Sequence, residues 1–201
     1  MAVMKIVFAS GNEGKVKEIS SMLSETGIEL VSLNNYKDVP EIVEDGLSFQ
    51  ENALKKARII CEFTGETTLA DDSGLMVDAL NGEPGIYSSR YAGDKATDRE
   101  NNAKLLAKLK NITAEKRTAA FHCSLILYRK DGTYESFEGR WRGRIIEEER
   151  GANGFGYDPL FWVPELKKTA AELPPEFKNK VSHRGQAVAQ LKDWLLKKAA
   201  R

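Results

Sequence analysis

The sequence carries no excess of charge of either sign: Lys plus Arg and Asp plus Glu each number 30, so the formal net charge is zero. No global field then draws the chain toward DNA or an anionic membrane, and a nucleic-acid role would need a local basic patch. Cysteine is scarce. Cys61 and Cys123 stand far apart, without CxxC or Cys/His spacing, which argues against a disulfide or metal site and for two reduced thiols in a core. No stretch approaches the roughly 20 apolar residues that cross a bilayer. The apolar run in residues 1–8 is too short for a signal peptide and leads straight into structured chain, so the cytoplasm is the expected location. Internal repeats, low-complexity tracts and linkers are missing. Length suffices for one α/β domain over residues 1–201, or for two closely fused lobes. Hydrophobic residues make up 41%, enough for the chain to fold rather than stay disordered.

Periodicity predicts an α/β architecture with a mixed sheet. Ile6-Val7-Phe8-Ala9 is a β-branched and aromatic run, predicted as a buried strand. Ser10-Gly11-Asn12 interrupts it, and residues 15–23 then turn Val16, Ile19, Met22 and Leu23 to one helical face. Residues 28–33 predict a second strand. Residues 47–63 predict a helix with the stripe Leu47, Leu54, Ala57, Ile60 and Cys61, and with Ser48 and Glu51 as a capping box. Thr67-Thr68-Leu69-Ala70 predicts a strand ending at Asp71-Asp72-Ser73-Gly74, with extended chain resuming at Leu75-Met76-Val77. Residues 81–93 carry Gly, Pro and Ser and predict a loop, and Asp98 is the expected cap of a helix to Leu109. Residues 119–128 and 134–146 predict a long hairpin about Asp131-Gly132, forming a second lobe, with Arg140, Arg142 and Arg144 on one face. A loop over 151–159 precedes a last helix over 181–198, capped by Ser182, with Val188, Leu191, Leu195 and Leu196 inward.

Five segments carry candidate chemistry. Ser10-Gly11-Asn12-Glu13-Gly14-Lys15 joins a strand to a helix N-terminus, whose N–H groups and partial positive charge suit phosphate, and Lys15 adds a cation. It lacks the P-loop spacing, and a capped helix start with a solvated lysine accounts for it equally. Asp71-Asp72-Ser73-Gly74 sets two acids at a strand end. Carboxylates there suit Mg²⁺, while Asp-Ser-Gly alone is good turn chemistry; neighbouring strand residues face opposite ways, so only one acid need face a cleft. Glu44-Asp45-Gly46-Leu47-Ser48-Phe49-Gln50-Glu51 places acids at a helix start; dipole complementation explains Glu51 better than Glu44. Gly154-Phe155-Gly156-Tyr157-Asp158-Pro159 reads as an exposed loop whose aromatics either stack on a base or pack back onto the core. Lys178 is a candidate phosphate contact, and Ser182-His183-Arg184-Gly185 offers donors at a helix start, although such a pair is also ordinary surface.

Taken together and in order, these segments resemble the inosine triphosphate pyrophosphatase family, which cleanses purine nucleotide pools of deaminated bases. The resemblance runs from Ser10-Gly11-Asn12 and Lys15 through Glu44, Glu51-Asn52-Ala53 and Asp71-Asp72-Ser73-Gly74-Leu75. It continues through Pro84-Gly85-Ile86-Tyr87-Ser88, Ala92-Gly93, Phe155-Gly156-Tyr157-Asp158-Pro159, Lys178 and Ser182-His183-Arg184-Gly185, covering nearly the whole chain. It implies an elongated α/β fold of two lobes with the site in the cleft between them, a homodimer, and a need for Mg²⁺. It implies hydrolysis of dITP, ITP or XTP to the monophosphate and pyrophosphate. Residue by residue, it assigns phosphate contacts to Ser10, Asn12 and Lys15, with Gly11, Glu13 and Gly14 completing the substrate-binding segment. Metal binding falls to Glu44 and Asp72, with Asp72 the proton acceptor. Ser73, Phe155, Gly156, Tyr157, Asp158, Lys178, His183 and Arg184 surround the nucleotide.

On that reading, His183 or Arg184 meets the 6-oxo group of the base, and Phe155 or Tyr157 stacks on it. Two alternatives stay open. One keeps the fold and acts on pyrimidine or modified nucleotides. The other is a non-catalytic nucleotide or RNA-binding module, motivated by Arg140, Arg142 and Arg144 with Trp141.

Overall fold

A computed structural model describes residues 4–199. Its strands are β1 (Met4–Phe8), β2 (Ile28–Ser32), β3 (Thr68–Val77), β4 (Thr118–Tyr128), β5 (Tyr134–Ile145), β6 (Phe161–Val163) and β7 (Lys168–Thr169). Its helices are α1 (Glu13–Leu23), α2 (Phe49–Thr64), α3 (Asp98–Leu109), α4 (Pro175–Val181) and α5 (His183–Ala199). The strands form one seven-stranded sheet in the order β2-β1-β3-β4-β5-β6-β7. β1 runs parallel to β2 and β3, whereas β5, β6 and β7 pair antiparallel, so the sheet is mixed.

The chain divides into two compact units. One comprises Met1–Asp72, Cys123–Gly139 and Arg184–Arg201; the other comprises Ser73–His122 and Arg140–His183. In the first unit, Ile6, Val7 and Phe8 of β1 are all buried, as expected of a parallel strand covered on both faces. Ile6 and Phe8 pack with Ile19 and Leu23 of α1 and with Ala187, Val188 and Leu191 of α5. Val7 and Ala9 pack instead with Ala53, Ala57 and Ile60 of α2. In the second unit, Leu105 and Leu109 of α3 close one face over Leu75, Val77, Phe121, Trp141 and Phe161. The strict alternation of β5 leaves Arg140, Arg142 and Arg144 exposed and buries Trp141 on the other face. The basic stripe therefore lacks the aromatic that motivated an RNA-binding module.

Several sequence expectations need correction. β3 does not end at Asp71; it runs unbroken through Asp71-Asp72-Ser73-Gly74 to Val77, because sheet pairing and burial outweigh local turn chemistry. The β4–β5 hairpin does not make a separate lobe, since its tip belongs to the first unit and its open end to the second. Residues 85–90 are a 3₁₀ turn within the expected loop. Thr97, not Asp98, caps α3, in a full capping box with Glu100. The last helix, α5, starts at His183 rather than at residue 181, and the extended Ser182 stands immediately before it, where its cap was expected. Leu196 is 69% exposed rather than inward. Leu47 precedes α2 and is 89% exposed. Ser48 does cap α2, but the Glu51 carboxylate accepts from Leu47 N rather than from Ser48 N, so the box is half made.

Candidate active site

Asp71 and Asp72 are successive residues of β3, so their side chains leave on opposite faces. Asp72 meets α2. Its Oδ1 lies 3.2 Å from Lys56 Nζ, and its Oδ2 accepts from Asn52 Nδ2 at 3.3 Å. The same Lys56 ammonium is 2.5 Å from Glu44 Oε1, so two carboxylates from distant segments converge on one cation. Asn52 and Lys56 are four residues apart on α2 and share a helical face. Asn52 Oδ1 also accepts from Gly46 N at 2.8 Å, tying the Glu44 loop to the helix. A Cβ on Gly46 would stand 2.7 Å from that Asn52 oxygen, so the close approach requires glycine.

Asp71 meets the other face. Its Oδ2 is 3.1 Å from Lys15 Nζ of α1 and accepts from Arg184 Nη2 of α5 at 3.1 Å. Arg184 Nη1 donates to Glu18 of α1 at 2.6 Å. Asn12 caps α1, its Oδ1 accepting from Lys15 N at 3.0 Å, and Asn12 N donates to Ser10 Oγ at 3.2 Å. The predicted phosphate segment, Ser10 through Lys15, is therefore a capped helix start whose lysine is drawn to Asp71. Of this segment, Gly11, Asn12 and Glu13 are exposed.

These environments drive the two acids apart. Burial alone would raise the Asp71 carboxyl, but Lys15, Arg184 and Lys56 outweigh it and hold it well below its ordinary value. For Asp72, burial prevails over Lys56 and Lys15, with Glu44 and Asp71 adding like charge, and its pKa is raised. Burial disfavours the Lys56 ammonium, yet Asp72, Glu44 and Asp71 more than compensate, and it stays charged. The two neighbouring acids thus differ: Asp71 is shifted toward its ionised form and Asp72 toward neutrality.

The second unit holds Ser73, the aromatic loop, Lys178 and His183. Lys178 of α4 is buried and pairs with Asp158 Oδ2 at 2.5 Å. That same oxygen accepts from Phe155 N at 3.0 Å, and the Lys178 ammonium lies 5.2 Å from the centre of the Phe155 ring. The His183 ring is buried and stacks on Phe121 with centroids 4.8 Å apart. Tyr157 departs from expectation. It is only 5% exposed, and its hydroxyl donates to Ser88 O at 2.8 Å, so its ring packs into the core and is not offered to a base. Phe155, half-buried, keeps that possibility.

Sequence reasoning gave no role to Lys56, Asn52 or Glu18. A signal was available for two of them: Asn52 and Lys56 fall in the buried stripe of α2 with Ala53, Ala57 and Ile60, where polar residues need partners. Glu18 had none, for a charged residue on α1 looks solvated until Arg184 is placed beside it.

Fold and site together define an α/β protein with two neighbouring buried acids, Asp71 and Asp72, each held against basic side chains. A sequence profile of the Ham1 family matches residues 6–194, and the chain belongs to that family. It is 52% identical over 191 residues to a dITP/XTP pyrophosphatase of Geobacter sulfurreducens, covering 95% of this chain and 96% of that one. A HAM1 protein from Coxiella burnetii superposes with a TM-score of 0.88 at 45% identity, over 96% of this chain and 99% of its own. A nucleoside-triphosphatase, also named dITP/XTP pyrophosphatase, from Mycobacterium abscessus gives 0.76 at 48% identity, over 94% and 97%.

Proposed function

We propose that the chain is a nucleoside triphosphate pyrophosphatase that hydrolyses deaminated purine nucleotides (dITP, ITP and XTP) to the monophosphate and pyrophosphate. In doing so it would keep them out of DNA and RNA. The observation that carries the reading is the convergence of Glu44 and Asp72 on one cation, in a chain about half identical to proteins named for this activity. Mg²⁺ is the cofactor of this reading, with Glu44 and Asp72 as its protein ligands. The donor set suits it, since Mg²⁺ uses one or two carboxylates plus substrate phosphates rather than an all-protein cage. Among the described residues no three His, Cys, Asp or Glu side chains gather into such a cage. When bound, the ion neutralises phosphate oxygens that would repel an attacking water.

Asp72 accepts the proton of that water. Lys15, Lys178 and the start of α1, with Ser10 and Asn12, hold the phosphates and stabilise the leaving pyrophosphate. Phe155 stacks on the base. His183 and Arg184 donate toward the 6-oxo group, which adenine replaces with an amino donor; a site built this way rejects the mismatch by ~10⁴–10⁵. The reading also makes the enzyme a cytoplasmic homodimer. Among the described residues no helix is long and apolar enough to cross a membrane.

Incubation with a panel of nucleoside triphosphates, with and without Mg²⁺, tests the proposal by phosphorus NMR. ITP is expected to give IMP and pyrophosphate in equal amounts, only with the metal, and ATP to be spared. Asp72→Asn is expected to lose at least ~10²–10⁴ in rate while keeping its circular dichroism spectrum. Formation of IDP and orthophosphate, or an active Asp72→Asn variant, would overturn it.

A further inference from the structure

The loop at Phe155-Gly156-Tyr157 does not hold its shape alone; the first turn of α3 grips it. Asp98 Oδ2 accepts from Gly156 N at 2.7 Å. Asn102 Nδ2, four residues on and on the same helical face, donates to Gly156 O at 3.2 Å and to Glu149 Oε1 at 2.8 Å. One helical turn thus engages both the N–H and the C=O of a single residue. Gly156 is in the left-handed region at φ 60°, which a side-chain-bearing residue adopts with difficulty, so the loop turns sharply at the gripped residue. Immediately before it, Phe155 N is bound by Asp158, whose carboxylate also pairs with Lys178. Immediately after it, the Tyr157 hydroxyl reaches Ser88 O. Asn101, between the two gripping residues, bonds Ala92 N and Ser89 O, so the same turn also secures the segment that receives Tyr157.

Capping does not account for this arrangement. Thr97 and Glu100 already complete the capping box of α3, so the Asp98 carboxylate is not needed as the cap. Asp98 is exposed, and an exposed first-turn acid serves the helix dipole equally well pointing to solvent. Its carboxylate is instead placed on the loop amide that directly follows Phe155.

We propose that Asp98, with Asn102, is a positioning residue for the nucleotide: acting through Gly156, it holds the Phe155 ring and the neighbouring Lys178 ammonium in the geometry that grips the substrate. The proposal rests on the reading of this loop as nucleotide-binding. A grip of this kind pre-organises binding without touching the reacting atoms, so its loss falls on KM rather than on kcat.

Steady-state kinetics with ITP on Asp98→Ala, Asp98→Asn and Phe155→Ala, together with hydrogen exchange of the loop amides, test it. Loss of a hydrogen bond to a charged group predicts that Asp98→Ala raises KM roughly tenfold with kcat within about twofold, and that the amides of residues 155–157 exchange faster by a similar factor. Asp98→Asn, whose amide oxygen still accepts from Gly156 N but without the charge, should recover part of the loss in KM and in exchange. The proposal is overturned if Asp98→Ala leaves KM unchanged, lowers kcat instead, or is not rescued in part by asparagine. The exchange measurement needs no activity, and it overturns the grip itself if the amides are unaffected. The underlying reading fails separately: if Phe155→Ala leaves KM unchanged while Asp98→Ala accelerates exchange, the grip exists but the Phe155 ring does not hold nucleotide, and the positioning role falls with it.

Discussion

A lysine rarely buries its charge without a partner. Lys56 is 8% exposed and has two, Glu44 and Asp72, which the proposed mechanism gives to Mg²⁺. Its ammonium compensates two carboxylates that would otherwise repel each other. Removing one partner from a buried ion pair strands the other, at about 3–5 kcal/mol. Lys56→Met, of similar length and without charge, should therefore lower the melting temperature of the metal-free protein. Millimolar Mg²⁺ should recover more stability in the variant than in the parent, because the ion supplies the missing charge. Thermal unfolding with and without Mg²⁺ measures both effects. An identical metal response in variant and parent would remove Glu44 and Asp72 as shared ligands.

At the scale of elements, α5 begins with two residues of separate allegiance. Ser182 is extended between α4 and α5; His183 packs on Phe121 in the second unit, and Arg184 turns to Asp71 and Glu18 in the first. Arg184 thereby joins α5 to β3 and α1, and its planar fork is held in place by both carboxylates. Arg184→Ala would leave Asp71 and Glu18 uncompensated and confuse stability with selectivity. Arg184→Lys keeps a charge near Asp71 and loses the fork. If the fork reads the 6-oxo group, the ratio of ITP to ATP hydrolysis should fall roughly ten- to a hundred-fold in Arg184→Lys. Lys15→Ala, which on the proposed reading removes a phosphate contact, should lower both substrates by a common factor. Competition assays on the two variants decide the matter. A common factor in Arg184→Lys as well would make Arg184 an anchor for Asp71 and shift base reading to His183.

For the molecule as a whole, the two units have separate cores, one around Leu191 and one around Leu105. The chain nevertheless passes between them at Asp72/Ser73, His122/Cys123, Gly139/Arg140 and His183/Arg184, and β3, β4 and β5 each contribute residues to both. Neither unit is a continuous stretch that can complete its sheet alone, so unfolding should be one cooperative event. Leu105→Ala and Leu191→Ala, each costing about 2–5 kcal/mol, should shift the same single transition. Circular dichroism and tryptophan fluorescence should trace coincident curves, Trp141 lying in one core and Trp194 against the other. Two resolved transitions in either variant would refute this.

Much of this was determined by the sequence alone. The strand at Ile6-Val7-Phe8, the stripe of α1, the Ser48 cap, the Asp131-Gly132 hairpin and the alternation of Arg140, Arg142 and Arg144 all follow from periods and caps that act within a few residues. The order of the motifs was enough to place the chain in its family. Tertiary structure alone decided that β3 runs through its two aspartates, that Tyr157 turns inward, and which partners Lys56, Asn52, Glu18 and Asp98 take. The physical reason is the reach of the interactions: Lys56 and Asp72 are 16 residues apart, Arg184 and Asp71 are 113, and Arg184 and Glu18 are 166. A charged side chain is an ordinary surface group until burial removes its water, and only the closed fold determines which opposite charge then compensates it.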